Sequence, residues 1–221
     1  YHRDNFHVEI NTKNSSLKKL QFSDHQKPII GVLDYGYFND VDYLADFFSL
    51  NYIIESKEIS RFSDLSNNIS SAYEDNDKIS LVSTSTNPRV PVSKEIIISK
   101  SEEAIYLSQK NSEFERVSGY FRACFITFID QDFVENATFS YCGVGGVNRK
   151  LILNDDFDHG DRVTNIITSK SLIPAVDGKF KVSNKESSIY FSWDPSISFI
   201  MPMASLSTIK GKKLLRIFFS L

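Results

Sequence analysis

The run YFRACFITFI at residues 120–129 decides how this chain is read. Phe121, Ala123, Phe125 and Ile129 take its odd positions, and Tyr120, Cys124, Ile126 and Phe128 are apolar on the even side. A half-buried strand alternates apolar and polar residues, so apolar side chains on both sides indicate a central strand covered on each face. The segments ENATFSYCGV (135–144) and RKLILND (149–155) read as its neighbours. Further strands are expected in DRVTNIITS (161–169), GKFKVSN (178–184), SSIYFSW (187–193) and SISFIMPM (196–203), with turns at VDG and DPS.

Upstream of that run the pattern changes. In KPIIGVLDYGYFND (27–40) a short buried strand, Ile29 to Leu33, ends at Gly36, and Asn39 then caps a helix through VDYLADFFSL. Asp40 and Asp42 suit the positive end of that helix. ISSAY and KISLVSTST flank the turn residues EDND (74–77) as a hairpin, and a short helix is expected near Phe62 to Asn67. Ser99 and Glu102 form a capping box ahead of KSEEAIYLSQKN (100–111), which predicts a second helix. Helices early and strands late give an α+β expectation with a central antiparallel sheet. Residues 1–27 read as a polar segment with little core, 28–210 as one domain, and 211–221 as a basic and apolar tail.

With 221 residues, 41% hydrophobic and 24% charged, the chain has the composition of a folded domain able to bury a sizeable core. Its net charge of −3 is unevenly spread. Residues 1–161 carry 16 Lys and Arg against 25 Asp and Glu, whereas residues 162–221 carry 9 against 3. Such an imbalance reads either as plain scatter of charge or as a basic end held close to anionic lipid headgroups. Nucleic acid is not an expected partner, because the cations are not interleaved with an aromatic platform. The tail KGKKLLRIFFSL (210–221) reads either as the start of a membrane helix or as a last amphipathic strand. The start at Tyr1 reads as a mature or excised form.

Catalytic signals are thin. The glycines of GVGG (143–146) come after one strand and lead into another, so they mark a hairpin turn. GVLDYG and DFDHGDRV resemble the Asp-bearing strand and His-bearing helix start of the subtilisin-like serine hydrolases. That resemblance implies Asp34 orienting His159 as a general base. The nucleophile is missing, since IMPMAS carries Pro202 where the family has its serine. The acidic run Asp155, Asp156, Asp158 and Asp161 around His159 lacks the ligand spacing of a calcium loop and reads as a solvated turn. No catalytic set, metal site or cofactor is therefore expected.

Arg122 offers the best binding hypothesis. A guanidinium inside an apolar strand needs a carboxylate, a carbonyl or an anionic ligand. Asp130 and Glu135 are the nearby carboxylates, and Tyr120 and Tyr141 complete the expected ligand site. If the strands at 120–130 and 137–144 formed a hairpin centred on Phe133, Cys124 would lie opposite Cys142, within reach of a disulfide; two free buried thiols are the plainer alternative.

The order of elements resembles the extracytoplasmic PAS-like, or Cache-type, sensor domains of bacterial membrane receptors. SSAYEDNDKISLVSTST resembles their first hairpin, SKSEEAIYLSQKN their helix-bearing excursion, GYFRACFITFI their long central strand and YFSWDPSISFIMPM their closing hairpin. The resemblance implies a non-catalytic signal-sensing domain, periplasmic or extracellular, anchored to a membrane by flanking segments. Its partner would be a small-molecule or protein signal, with a homodimer as an option. The rival expectation is a protein-interaction module such as an adhesin, an inhibitor or an assembly subunit.

Overall fold

The two-sided run at 120–129 does become an inner strand, but in a β-protein. The computed structural model describes residues 1–4, 6–33, 48–56, 60–111, 119–152, 173, 175–196, 200–209 and 212–221. In chain order its strands begin with β1 (His2–Arg3), β2 (Phe6–Asn11), β3 (Ser16–Gln21), β4 (Ile30–Gly31), β5 (Ile53–Ser56) and β6 (Ser60–Ser63). They continue with β7 (Ile69–Glu74), β8 (Lys78–Thr84), β9 (Val92–Ser99), β10 (Ile105–Asn111) and β11 (Gly119–Phe128). After the short helix α1 (Gln131–Glu135) come β12 (Thr138–Cys142), β13 (Asn148–Ile152), β14 (Lys179–Ser183), β15 (Ser188–Ser192), β16 (Met201–Ile209) and β17 (Lys212–Ser220).

Three antiparallel sheets result. The large one has nine strands in the order β1-β2-β3-β4-β11-β17-β16, with β5 pairing both β11 and β6. The two others have four strands each, β10-β9-β8-β7 and β13-β12-β14-β15. One edge of β11 is occupied by β17 from Arg122 to Phe128. The opposite edge is shared by β5 at Gly119–Arg122 and β4 at Phe128. Between them the amide of Leu50 donates to the Phe125 carbonyl (2.8 Å) and the Phe125 amide to that of Asn51 (3.1 Å). Gly31 lets β4 cross this region, because a Cβ there would run into the Lys18 carbonyl.

A single apolar cluster joins the layers. It contains Phe6, Leu20, Ile126, Phe128, Leu206 and Leu215 from the large sheet, Ile96 and Ile98 from β9, Phe133 of α1, and Phe139, Phe180 and Val182 from the third sheet. One face of the large sheet thus carries both smaller sheets, in the manner of a sandwich. A second cluster of Ile53, Phe125, Met203 and Phe218 includes the opposite side of β11, where the Phe125 and Phe218 rings stack at 5.7 Å. That accounts for the apolar residues on both sides of the 120–129 run.

The α+β, PAS/Cache-like expectation is overturned. The helix predicted after Ser99 is the strand β10, paired with β9 along all seven of its residues. Its local start signal is still used, since the Glu102 amide donates to Ser99 Oγ (3.1 Å), but in the turn between two strands. The β-branched run Ile96–Ile98 on β9 supplies a ready edge, and tertiary pairing outweighs the weak helical propensity of AIYLSQKN. The short helix near residue 62 reduces to a 3-10 turn at Asp64–Ser66, capped by Ser63. The expected hairpin 69–84 is β7 and β8, and its EDND turn is held by Asp75 Oδ1, which accepts from the amides of Asp77 and Lys78 at 2.8 Å each.

Two further expectations are corrected. β11 and β12 do not form a hairpin, because α1 separates them and sends β12 into the third sheet, paired with β13 and β14. Cys124 and Cys142 are accordingly both free thiols. The closing hairpin expected over 190–203 is also divided, with β15 in the third sheet and β16 in the large one. The tail is a strand, β17, flanked by β11 and β16. The polar first segment contributes β1–β3 to the same sheet, burying Phe6, Val8, Leu17 and Leu20. The helix expected after Asn39 lies outside the described residues.

Candidate functional site

The residues expected to bind a ligand are not gathered in one place. Tyr120 and Arg122 lie at the start of β11, opposite Glu55 and Ile53. Arg122 is buried beside a register shift in the pairing with β17. Asp130 lies past the far end of the strand, which from Arg122 to Phe128 extends roughly 20 Å at about 3.3 Å per residue. There it caps α1, accepting from the Asp132 amide at 3.1 Å. Tyr141 belongs to β12 in a different sheet. Asp34, His159 and the acidic residues around His159 lie outside the described residues. Among the described residues no three His, Cys, Asp or Glu side chains converge to hold a metal ion.

Among the described residues the most strongly buried charges are ones that sequence reasoning missed. Lys94 on the inner side of β9 and Asp64 in the 3-10 turn are fully enclosed and form an ion pair. The ammonium also donates to the carbonyls of Ser15 (3.0 Å) and Leu50 (2.9 Å). Both of those residues adopt left-handed backbone, at φ 50° and 63°. Asp64 Oδ1 accepts from the Tyr52 amide at 2.9 Å. Burial pushes the Asp64 carboxyl upward, opposed by Lys94 and by the Tyr52 amide. The neighbouring Cys124 thiol is pushed up to about 12, chiefly by burial. With all three ammonium protons and both carboxylate oxygens engaged, and both side chains enclosed, this centre clamps β9 onto the large sheet and is not placed to meet a substrate.

A surface suited to recognition lies on the third sheet. Directly paired residues of antiparallel strands share a face, so the register sorts this sheet into two sides. Phe139, Phe180, Val182 and Ile189 face the core. The opposite side carries the row Lys150–Ser140–Lys181–Tyr190 across all four strands. Beside it run Ile152–Thr138–Ser183–Ser188 and the pairs Asn148–Cys142 and Lys179–Ser192. The Lys181 ammonium sits 6.0 Å from the centre of the Tyr190 ring, a cation–π contact that holds both side chains over the face. An open cleft of about 470 Å³ lies here, lined by Ser140, Tyr141, Lys179, Lys181, Tyr190 and neighbouring residues. Of the predicted site residues, Tyr141 alone borders it, and by register Tyr141 falls on the core side with Phe180. The alternation in GKFKVSN was the available signal: its lysines and its apolar residues fall on opposite sides of one strand.

A second cleft, of about 590 Å³ between Thr84, Pro88, Pro91 and Lys110, is lined by a single charged side chain and has less to recognise.

Comparison with known proteins adds the fold and nothing finer. No protein-family model and no curated protein matches the sequence. The crystal structure of HI1317 matches with a TM-score of 0.57 at 8% identity, covering 100% of this chain and 84% of that one. At that identity the likeness shows a shared β-architecture alone.

Proposed function

We infer that this chain is a binding module whose recognition surface is the outer side of β12–β15 and whose partner is anionic. One observation carries the reading: of the twelve outward positions on that sheet, three are lysines (Lys150, Lys179 and Lys181) and none is a carboxylate. Asp177, at the margin, lies 3.6 Å from Lys179 and offsets part of that charge. Hydroxyls of Thr138, Ser140, Ser183, Ser188, Ser192 and Tyr190 fill most of the remaining positions, so the face offers hydrogen-bond donors between its cations. Lys150 and Lys181 are two strands apart, roughly 10 Å, a spacing that favours an extended polyanion or an array of anionic groups over one small ion. The signal- or partner-binding role expected from the sequence is thereby retained and moved from Tyr120 and Arg122 to this sheet.

Dextran sulfate, titrated against the protein at increasing salt, tests the reading. Wild type is expected to bind with an affinity that falls as salt rises. K150E/K179E/K181E is expected to lose at least tenfold, while the charge-matched control K13E/K78E/K110E, which alters exposed lysines elsewhere, retains most of the affinity. Equal losses in the two triple variants would reduce the effect to net charge and overturn the assignment to this face.

A further inference from the structure

The same sheet ends in a projecting apolar tip. β12 and β13 are joined by Gly143–Val147, closed by the Gly143 amide donating to the Val147 carbonyl at 2.9 Å. Gly145 and Gly146 take φ of 80° and 74°, a left-handed pair that tightens the turn. A Cβ built on either would meet nothing within 4 Å, so the loop stands clear of the body. It carries Val144, 78% exposed, and Val147, 47% exposed. Val176, 50% exposed, joins them, since its amide donates to the Cys142 carbonyl at 3.0 Å at the base of the loop. Of the eight large hydrophobic residues most exposed among those described, five (Val144, Val147, Ile152, Val176 and Tyr190) belong to this sheet and its loops, three of them at the tip.

The charges around the tip say what covers it. Arg149 lies beside Gly143, its Cγ 3.4 Å from where a glycine Cβ would be, but by register it shares the side of Tyr141 and Phe180 and leaves the outer face to the lysines. Lys179, Lys181 and Lys150 continue along the outer face. Among the described residues the acids at this end are Asp177, engaged with Lys179, and Asp194, whose carboxylate accepts from the amide and hydroxyl of Ser196. A protruding apolar loop with cations set back from its apex matches the layering of an anionic bilayer, in which acyl chains lie beneath a charged headgroup plane. A soluble polyanion would use the lysines and leave the valines in water.

We propose that this sheet docks on an anionic membrane surface, with Val144, Val147 and Val176 entering the interface and Lys150, Lys179 and Lys181 contacting headgroups. The proposal rests on the anionic-partner reading and narrows it to a lipid surface. Co-sedimentation with vesicles of phosphatidylcholine alone, and of phosphatidylcholine with about one third phosphatidylserine, tests it on the whole chain. Wild type is expected to sediment with the anionic vesicles and not with the neutral ones. Each lysine removed in K150Q/K179Q/K181Q is expected to lower partitioning about fivefold. V144S/V147S is expected to lower it at least tenfold while leaving dextran sulfate binding within twofold of wild type. The exposed loop makes unfolding an implausible confounder, and an unchanged melting temperature checks it. A wild type that binds dextran sulfate but no vesicle would leave the anionic-partner reading in place and overturn the membrane inference. Binding to neither overturns both. Partitioning unaffected by V144S/V147S would show that the tip does not enter the interface.

Discussion

Replacing Lys94 with Met is the sharpest test of how the sheets are held together. Methionine keeps an unbranched stem of similar reach and removes the ammonium, so the change falls on polar contacts more than on packing. Three acceptors lose their donor: the Asp64 carboxylate and the carbonyls of Ser15 and Leu50. Breaking a fully buried ion pair costs about 3–5 kcal/mol. Each carbonyl left without a partner adds roughly 1–3 kcal/mol, offset in part because Asp64 relaxes by taking up a proton. A net loss of about 4 kcal/mol is expected, against total domain stabilities of roughly 5–15 kcal/mol. In K94M/D64N the coupling term should exceed about 2 kcal/mol.

The pH dependence supplies an independent check. Burial already raises Asp64 above its ordinary value of 3.8, and K94M removes the two largest influences that lower it. A carboxyl whose folded pKa is raised contributes stability that is complete below the unfolded value and lost as pH rises through the folded one. The deficit of K94M relative to wild type should therefore be smallest in mild acid and grow toward pH ~8. Urea unfolding monitored by circular dichroism and by the fluorescence of Trp193 measures it. A deficit below about 1 kcal/mol at neutral pH, or one that does not vary with pH, would refute the clamp.

Thiol chemistry should separate the two cysteines. Cys124, buried and raised to about 12, is expected to resist a maleimide reagent at pH ~8 until the protein is denatured, whereas Cys142, partly exposed, reacts in the native state; rapid native labelling of both would contradict this burial. G31A should be strongly destabilising, by about 2 kcal/mol or more, because its methyl group meets the Lys18 backbone rather than a side chain that can move; an unchanged urea midpoint would show that β4 shifts freely. Asp75, held below its usual range by the amides of Asp77 and Lys78, stabilises the β7–β8 turn above its unfolded pKa and loses that contribution as pH falls through the folded one. D75A should melt earlier than wild type at neutral pH and converge with it in strong acid, as read by thermal circular dichroism.

Several of these features arise from local pattern. Apolar residues on both sides of 120–129 implied a covered central strand, and EDND between two alternating runs implied a hairpin, because each signal rests on contacts within a few residues. The capping box at Ser99 was equally local, and its hydrogen bond forms; the conformation of residues 105–111 beyond it is set by a partner strand that the segment itself does not encode. Arg122 drew attention as a charge in an apolar run, whereas Lys94 escaped it in the shorter stretch VSKEIIIS, where a lysine looks like an outward position. Only the register of β9 turns it inward, toward two left-handed carbonyls supplied by remote parts of the chain.

By itself, then, the sequence determined that the 120–129 run and the two arms around EDND are extended, where the chain turns between those arms, and that its last sixty residues are basic. Tertiary structure decided which strands share a sheet, that α1 parts β11 from β12 and so separates Cys124 from Cys142, and that three lysines from two different strands share one side with no acid among them. The physical reason is one of range: strand propensity and turn chemistry act over a few residues, whereas antiparallel pairing joins segments tens of residues apart and is selected by burial of the whole core.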